Sequence, residues 1–258
     1  MPGRRGDVPL IPTMLRINLL GVAFACWPSA SAHAQNPPTP VAEPPGLRES
    51  QVTLVIDRGR EIGKFRATLM SKEGGNLTVL TAAHCLSPDD ANGQIRLVVD
   101  GESVEGTVVS VVRNPAFKPN HWREIPGPDN AVARLRFRPT EATPAAAAFE
   151  SLRAAPGLTT RPYPGPVGQV VRVRMLDAQG VEHAVKAGNY SNPRFLEWGP
   201  AYKPVPGDSG GGVFVLNNGA DGKARPILIG VIVGYDDKGG AASLVSRDMR
   251  WISDELAR

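Results

Sequence analysis

The stretch Val79-Leu80-Thr81-Ala82-Ala83-His84-Cys85-Leu86-Ser87 carries an apolar run into two alanines and ends on a histidine with a cysteine beside it. A histidine beside a strand is ordinarily a satisfied core side chain. A cysteine next to it has three chemistries open to it: nucleophile, metal ligand or half of a disulfide. The rest of the chain decides among them. Its 258 residues suffice for one large domain or two small ones with a buried core. Hydrophobic residues at 41% and charged residues at 21% exclude a mainly disordered or fibrous chain.

The first 34 residues stand apart from that core. Arg16 precedes an apolar run from Leu19 to Trp27, and small residues lead to Ala32-His33-Ala34, the succession of a secretory signal. Cleavage is expected after Ala34, which makes Gln35 the mature N-terminus. The apolar run is shorter than the roughly 20 residues of a membrane span. Neither a lipid-attachment reading of Cys26 nor a twin-arginine reading of Arg4-Arg5 suits the flanking residues. Removing residues 1–34 takes three arginines and one aspartate from a net charge of +4 and leaves +2. No basic stripe then argues for nucleic acid or an anionic membrane surface. Cys26 is lost as well, so Cys85 becomes the only cysteine and a disulfide scaffold is excluded.

Residues 35–50 hold five prolines and read as an extended leader. From Gln51 short runs rich in Val, Thr, Ile and Leu alternate with turn residues: QVTLVID, GKFRATLM, NLTVLT, QIRLVV, VEGTVVSVV and NAVARLRF. Residues 139–166 break this rhythm with prolines around an Ala-rich stretch read as a short helix, connecting two halves. Strands resume with QVVRVRML, VEHAVKA, GVFVL, PILIGVIVG and AASLVS. At the end, Met249, Ile252 and Leu256 share one face of a helix within 247–258. The expectation is two antiparallel β units, 51–138 and 167–246, and a terminal helix, with no internal repeat between them.

A second stretch, Pro204-Val205-Pro206-Gly207-Asp208-Ser209-Gly210-Gly211-Gly212-Val213-Phe214, sets a serine among glycines. A serine hydroxyl is a weak nucleophile that needs an adjacent base, and glycines let a substrate approach closely. The bland alternative is a glycine-rich hairpin loop. The stretch also fits the G-x-S-x-G elbow of α/β-hydrolases, but that fold needs its histidine after the serine. The four histidines, His33, His84, His121 and His183, all precede Ser209. A subtilisin order would put an acid such as Asp57 before His84 with other residues around the serine. His-Asp-Ser remains. Asp89, Asp90, Asp100, Asp129, Asp177 and Asp208 are the candidate acids, and Asp129 stands at the mouth of a strand with Ala131, Ala133, Leu135 and Phe137 on one face.

These residues resemble those of the chymotrypsin/trypsin-like serine proteases. The family's T-A-A-H-C motif stands at Thr81 to Cys85, D-x-A-x-x-x-L at Asp129 to Leu135 and G-D-S-G-G at Gly207 to Gly211. Gly230 to Gly234 resembles the strand lining the specificity pocket, and RWISDELA resembles the terminal helix. The resemblance covers roughly residues 50–258. It implies an all-β fold of two antiparallel six-stranded β-barrels with a short C-terminal α-helix. It also implies a catalytic triad of His84, Asp129 and Ser209, with the Gly207 and Ser209 amides as the oxyanion hole. On the same alignment Lys203 takes the base of the specificity pocket, with Val233, Gly234 and Tyr235 as its wall. A lysine there favours acidic side chains before the scissile bond, unless Pro204 and Pro206 redirect the loop and the ammonium reaches water.

The chain departs from the family in three ways. The cysteines that partner Cys85 and brace the pocket are missing, so Cys85 reads as a small buried apolar residue. The scattered histidines give no zinc site. No I/V-V-G-G sequence offers the new N-terminus that pairs in animal relatives with the residue matching Asp208. Asp208 is therefore expected to meet another cation, such as an arginine, or a different N-terminus. His121 and Trp122 read as surface or rim packing. Asn76-Leu77-Thr78 and Asn189-Tyr190-Ser191 match glycosylation acceptors.

The expected protein is a secreted or periplasmic serine endopeptidase, a monomer acting on protein or peptide substrates. It is expected to use no cofactor or metal, bind no nucleic acid and keep no membrane span after signal removal. The competing readings are a catalytically silent binding protein on the same fold and an esterase.

Overall fold

Two-residue turns explain why the first strands pair as they do. In the computed structural model, β1 (Gln51–Asp57), β2 (Ile62–Glu73) and β3 (Asn76–Thr81) form a meander. Gly74-Gly75 joins the last two, with Glu73 opposite Asn76. Asp100-Gly101, both at positive φ, likewise joins β4 (Gln94–Val99) to β5 (Glu102–Arg113), and β6 (Ala131–Phe137) completes the set. The structure describes residues 47–59, 61–118, 128–140, 143–155, 157, 169–188, 194–218, 224–236 and 239–258. The expected signal segment, His121, Trp122 and the Asn189 acceptor lie outside them. Asn76 opens β3, and its side chain accepts a hydrogen bond from Arg136 at 3.3 Å.

β1 to β6 close into a barrel in the order β1-β2-β3-β6-β5-β4. β7 (Val170–Leu176), β8 (Glu182–Gly188), β9 (Phe195–Trp198), β10 (Gly212–Asn218), β11 (Ala224–Asp236) and β12 (Gly239–Leu244) close a second barrel. Its order, β7-β8-β9-β12-β11-β10, repeats that of the first although no sequence repeat is visible. The 12-residue β2 and β5 and the 13-residue β11 each carry a register shift, and such bulges bend a long strand around a small barrel.

Each core follows from alternation along its strands. Val52, Leu54, Ile56, Leu77, Ile95, Leu97, Leu135 and Phe137 fill the first barrel. Val173, Met175, Val185, Leu196, Val213, Ile229 and Ile232 fill the second. The Ala-rich stretch forms α1 (Pro144–Ser151), N-capped by Thr143, and Phe149 packs tilted against Phe137 at 6.0 Å between ring centroids. α2 (Met249–Leu256) buries Ile252 and leans Trp251 and Leu256 on the core of the first barrel. Among the described residues no helix is long and apolar enough to cross a membrane.

Two local features differ from the sequence reading. β9 is not marked in the sequence: four residues including Glu197 give too short a pattern, and its extended state comes from pairing with β8 and β12. Leu47–Ser50, the end of the Pro-rich stretch, is already packed against the barrel. Leu47 and Ser50 are fully buried, and the Leu69 amide donates to the Ser50 carbonyl at 2.8 Å.

Candidate active site

The antiparallel register of β3 and β6 puts Thr81 opposite Ala131. His84, three residues beyond one strand, and Asp129, two residues before the other, therefore emerge at the same end of the barrel. The His84 Nδ1–H donates to Asp129 Oδ2 at 2.7 Å, and the His84 backbone amide donates to Asp129 Oδ1 at 3.0 Å. Both carboxylate oxygens thus face one residue, which fixes the ring and its tautomer. The Asp129 side chain is 7% exposed, whereas that of His84 is 39% exposed.

Two other acids weighed from the sequence are engaged elsewhere. Asp90 forms a two-pronged pair with Arg58, both contacts at 2.8 Å, and Asp177 accepts from His183 Nε2 at 2.8 Å. Arg58 also donates to the Cys85 carbonyl and Arg113 to the Leu86 carbonyl, so the chain leaving His84 is held from two directions. Cys85 is buried and, among the described residues, free.

Ser209 belongs to the second barrel, on the turn entering β10. Its carbonyl accepts from the Arg66 amide of β2 at 2.8 Å, and Thr81 Oγ1 donates to the Arg66 carbonyl at 2.8 Å. Gly210 makes this seam possible. Its φ is +87°, and a Cβ there would collide with the Arg66 carbonyl and the Thr81 hydroxyl. Gln51 adds a stitch that sequence reasoning missed: it donates to Thr68 and accepts from the Gly212 amide, both at 2.8 Å. A third runs from the Asp129 amide to Ser243 Oγ at 3.2 Å. Nothing in the local pattern marks Gln51 or Ser243, because their partners lie far away in the chain.

Gly210→Ala is expected to destabilise the protein by about 3 kcal/mol or more. A left-handed non-glycine residue costs about 1–2 kcal/mol, and overpacking typically costs about 1–3 kcal/mol. Denaturant unfolding measures it; a loss below about 1 kcal/mol would mean that the seam yields easily.

The Ser209 hydroxyl forms no hydrogen bond with any described residue. Nucleophile–base bonds are often long in free sites and tighten with substrate. The amides of Gly207, at φ +106°, and of Ser209 have no acceptor among the described residues. Two such N–H groups on one turn can receive an oxyanion.

A sequence model of the Trypsin family matches residues 73–249, more than half of the chain. The chain belongs to the trypsin family. A search of curated proteins found no match. The two closed barrels and the terminal helix are the trypsin-family fold implied by the three motifs.

Around the expected specificity pocket of this trypsin-family chain, Lys203 is exposed. Val233 and Gly234 are half-buried at the bulge of β11, and Tyr235 is 51% exposed. The expectation for Asp208 needs correction. Its fully buried carboxylate is held by neutral donors: the Ala178 amide at 2.6 Å, the Val205 amide at 2.7 Å and the Tyr202 hydroxyl at 2.8 Å. Buried Arg66 lends favourable charge nearby, but its Nη1 hydrogen-bonds the Asp177 carbonyl. Three short bonds from the adjoining loops satisfy the carboxylate without a paired cation.

Packing around the His84 ring opposes its charge, but hydrogen bonds to Asp129 and then Cys85 outweigh this and hold its pKa above the ordinary 6.5. The protonated pair therefore stabilises the fold fully below pH 6.5, and that stability is lost as pH rises through the folded value. Melting temperatures of parent and His84→Ala should differ most at acidic pH and converge on the alkaline side. An unchanged difference across that range would contradict the coupling.

Proposed function

We propose that this trypsin-family chain is an exported serine endopeptidase that cleaves peptide bonds through His84, Asp129 and Ser209. The observation carrying this reading is the double hydrogen bond of Asp129 to His84. It commits Nδ1 as a donor and leaves Nε2 as the base for a serine on the neighbouring turn. Ser209 Oγ attacks the acyl carbonyl as His84 Nε2 takes its proton, and the oxyanion is received by the Gly207 and Ser209 amides. His84 then protonates the leaving amine, and water repeats the sequence to release the acid. Asp129 orients the ring and stabilises its cationic form.

The signal pattern in residues 1–34 supports export to the periplasm or the exterior. Lys203, with Val233, Gly234 and Tyr235, is assigned to selection of the residue before the scissile bond, where the exposed Lys203 ammonium disfavours basic side chains. Profiling against a peptide library tests this assignment; a preference for Arg or Lys would overturn it.

A fluorophosphonate probe tests the chemistry. Labelling at Ser209 together with turnover of a protein substrate is the expected result. No labelling would leave a silent binding protein, and labelling with ester but no peptide turnover would leave an esterase. Catalysis needs neutral His84, so kcat/KM should rise with pH through a midpoint above 6.5. A rise centred well below 6.5 would exclude His84 as the base.

A further inference from the structure

The turn that carries Ser209 depends on Asp208, whose carboxylate is sealed from solvent. Oδ1 accepts from the Ala178 amide at the tip of the β7–β8 connection. Oδ2 accepts from the Val205 amide and the Tyr202 hydroxyl. Tyr202 is itself fixed before it makes this bond. Its ring stacks on His183 at 4.0 Å and 17°, and Trp198 lies nearly parallel to it at 6.3 Å and 7°. Trp198 Nε1 donates to the Tyr202 carbonyl at 2.9 Å. Asp177 anchors His183 and also accepts from the Gln179 and Val181 amides, which shape the turn holding Ala178.

We propose that Tyr202 is a positioning residue for the reaction at Ser209. It holds Asp208, and with it the Gly207–Ser209 turn, in place of a chain terminus released by cleavage, so the site forms whatever segment precedes Leu47. This rests on the endopeptidase reading for its catalytic consequence, but not for its structural one. Two observations beyond the hydrogen bond support it. Both carboxylate oxygens are already met by donors, three in all, so the buried charge is solvated without an ammonium group. The chain just ahead of β1 is fixed by contacts of its own: Leu47 and Ser50 are buried, and Arg48 donates to the Gly180 carbonyl at 3.2 Å.

A phenol differs from an amino terminus in its response to pH. A free α-amino group loses its proton near pH 8, about 7.7–8.0 in model peptides. Burial, and then the Asp208 carboxylate, push the Tyr202 phenol upward from its ordinary 10, so the donor survives alkaline conditions. The charged or titratable groups packed around the pair are Arg66 on β2, Asp177 after β7 and His183 on β8.

The test compares the parent with Tyr202→Phe, a change that keeps the stacked ring. Amide hydrogen exchange of the peptide spanning residues 203–212 should speed up at least about tenfold in the variant while the peptide spanning β3 stays unchanged. kcat for a peptide substrate should fall at least about tenfold with KM nearly constant. In the parent, protection of the 203–212 peptide against exchange should hold level from about pH 8 to 10, where an amino terminus would lose its proton, and chains starting at Gln35 and at residue 46 should match within about twofold in kcat. Exchange at 203–212 unchanged in Tyr202→Phe, or activity appearing only after cleavage before β1, would overturn the proposal. If the parent neither labels with a fluorophosphonate nor turns over substrate, the endopeptidase reading fails while the exchange comparison still decides what holds Asp208.

Discussion

Ser209→Ala should lower kcat by on the order of 10⁶ and leave the melting temperature unchanged. The magnitude is what loss of a serine nucleophile costs where base and oxyanion donors remain. Retention of the fold follows from the bonding of the residue. Its contact with β2 is made by its own backbone carbonyl to the Arg66 amide, which alanine keeps. The hydroxyl bonds to no described residue, so its removal leaves no buried partner orphaned among them. Steady-state hydrolysis, thermal unfolding and loss of fluorophosphonate labelling measure the outcome. Turnover within about a hundredfold of the parent would place the nucleophile elsewhere.

Asp129→Asn should cost about 10⁴ in kcat, because the amide donates where the carboxylate accepted and the imidazole then carries its hydrogen on Nε2. That tautomer cannot take the serine proton. The side-chain carbonyl oxygen of the new amide can still accept from the His84 backbone amide, so the loop keeps its position. Three of the other acids are in no position to substitute. Asp90 is committed to Arg58 and Asp177 to His183, while Asp208 is enclosed by Tyr202 and two amides. A loss below about tenfold would show that His84 is oriented by something other than Asp129.

The parts of this protein that can be read ahead are those whose cause is local. QVTLVID, NLTVLT and QIRLVV match β1, β3 and β4 end to end because alternation and turn residues both mark them. GVFVL and PILIGVIVG fall short of β10 and β11, whose ends are extended only by pairing, Asn218 of β10 opposite Ala224 of β11 and Asp236 of β11 opposite Gly239 of β12. β9 has too few residues to show a period. At the site, His84, Asp129 and Ser209 are legible as motifs, and the first two meet through the register of β3 and β6. The partners of Asp208 are not legible. Tyr202 lies only six residues before it, but the bond depends on His183 and Trp198 from two other strands, and a buried carboxylate suggests a cation when only its charge is considered. Neutral donors suffice because three short hydrogen bonds replace its hydration.

The seam between the barrels also bears on timing during synthesis. A chain completed only as far as β6 holds His84 and Asp129 but not Ser209. One completed to Ser209 still lacks β11 and β12, and hence Ser243, which receives the Asp129 amide. The β11 residue Ile232 also supplies the carbonyl that accepts from the Gly210 amide at 2.8 Å. Each partial product thus lacks part of this seam, and the last strands to arrive complete the surroundings of Asp129 and Gly210, so on the endopeptidase reading a nascent chain gains its activity only when almost all of it has emerged.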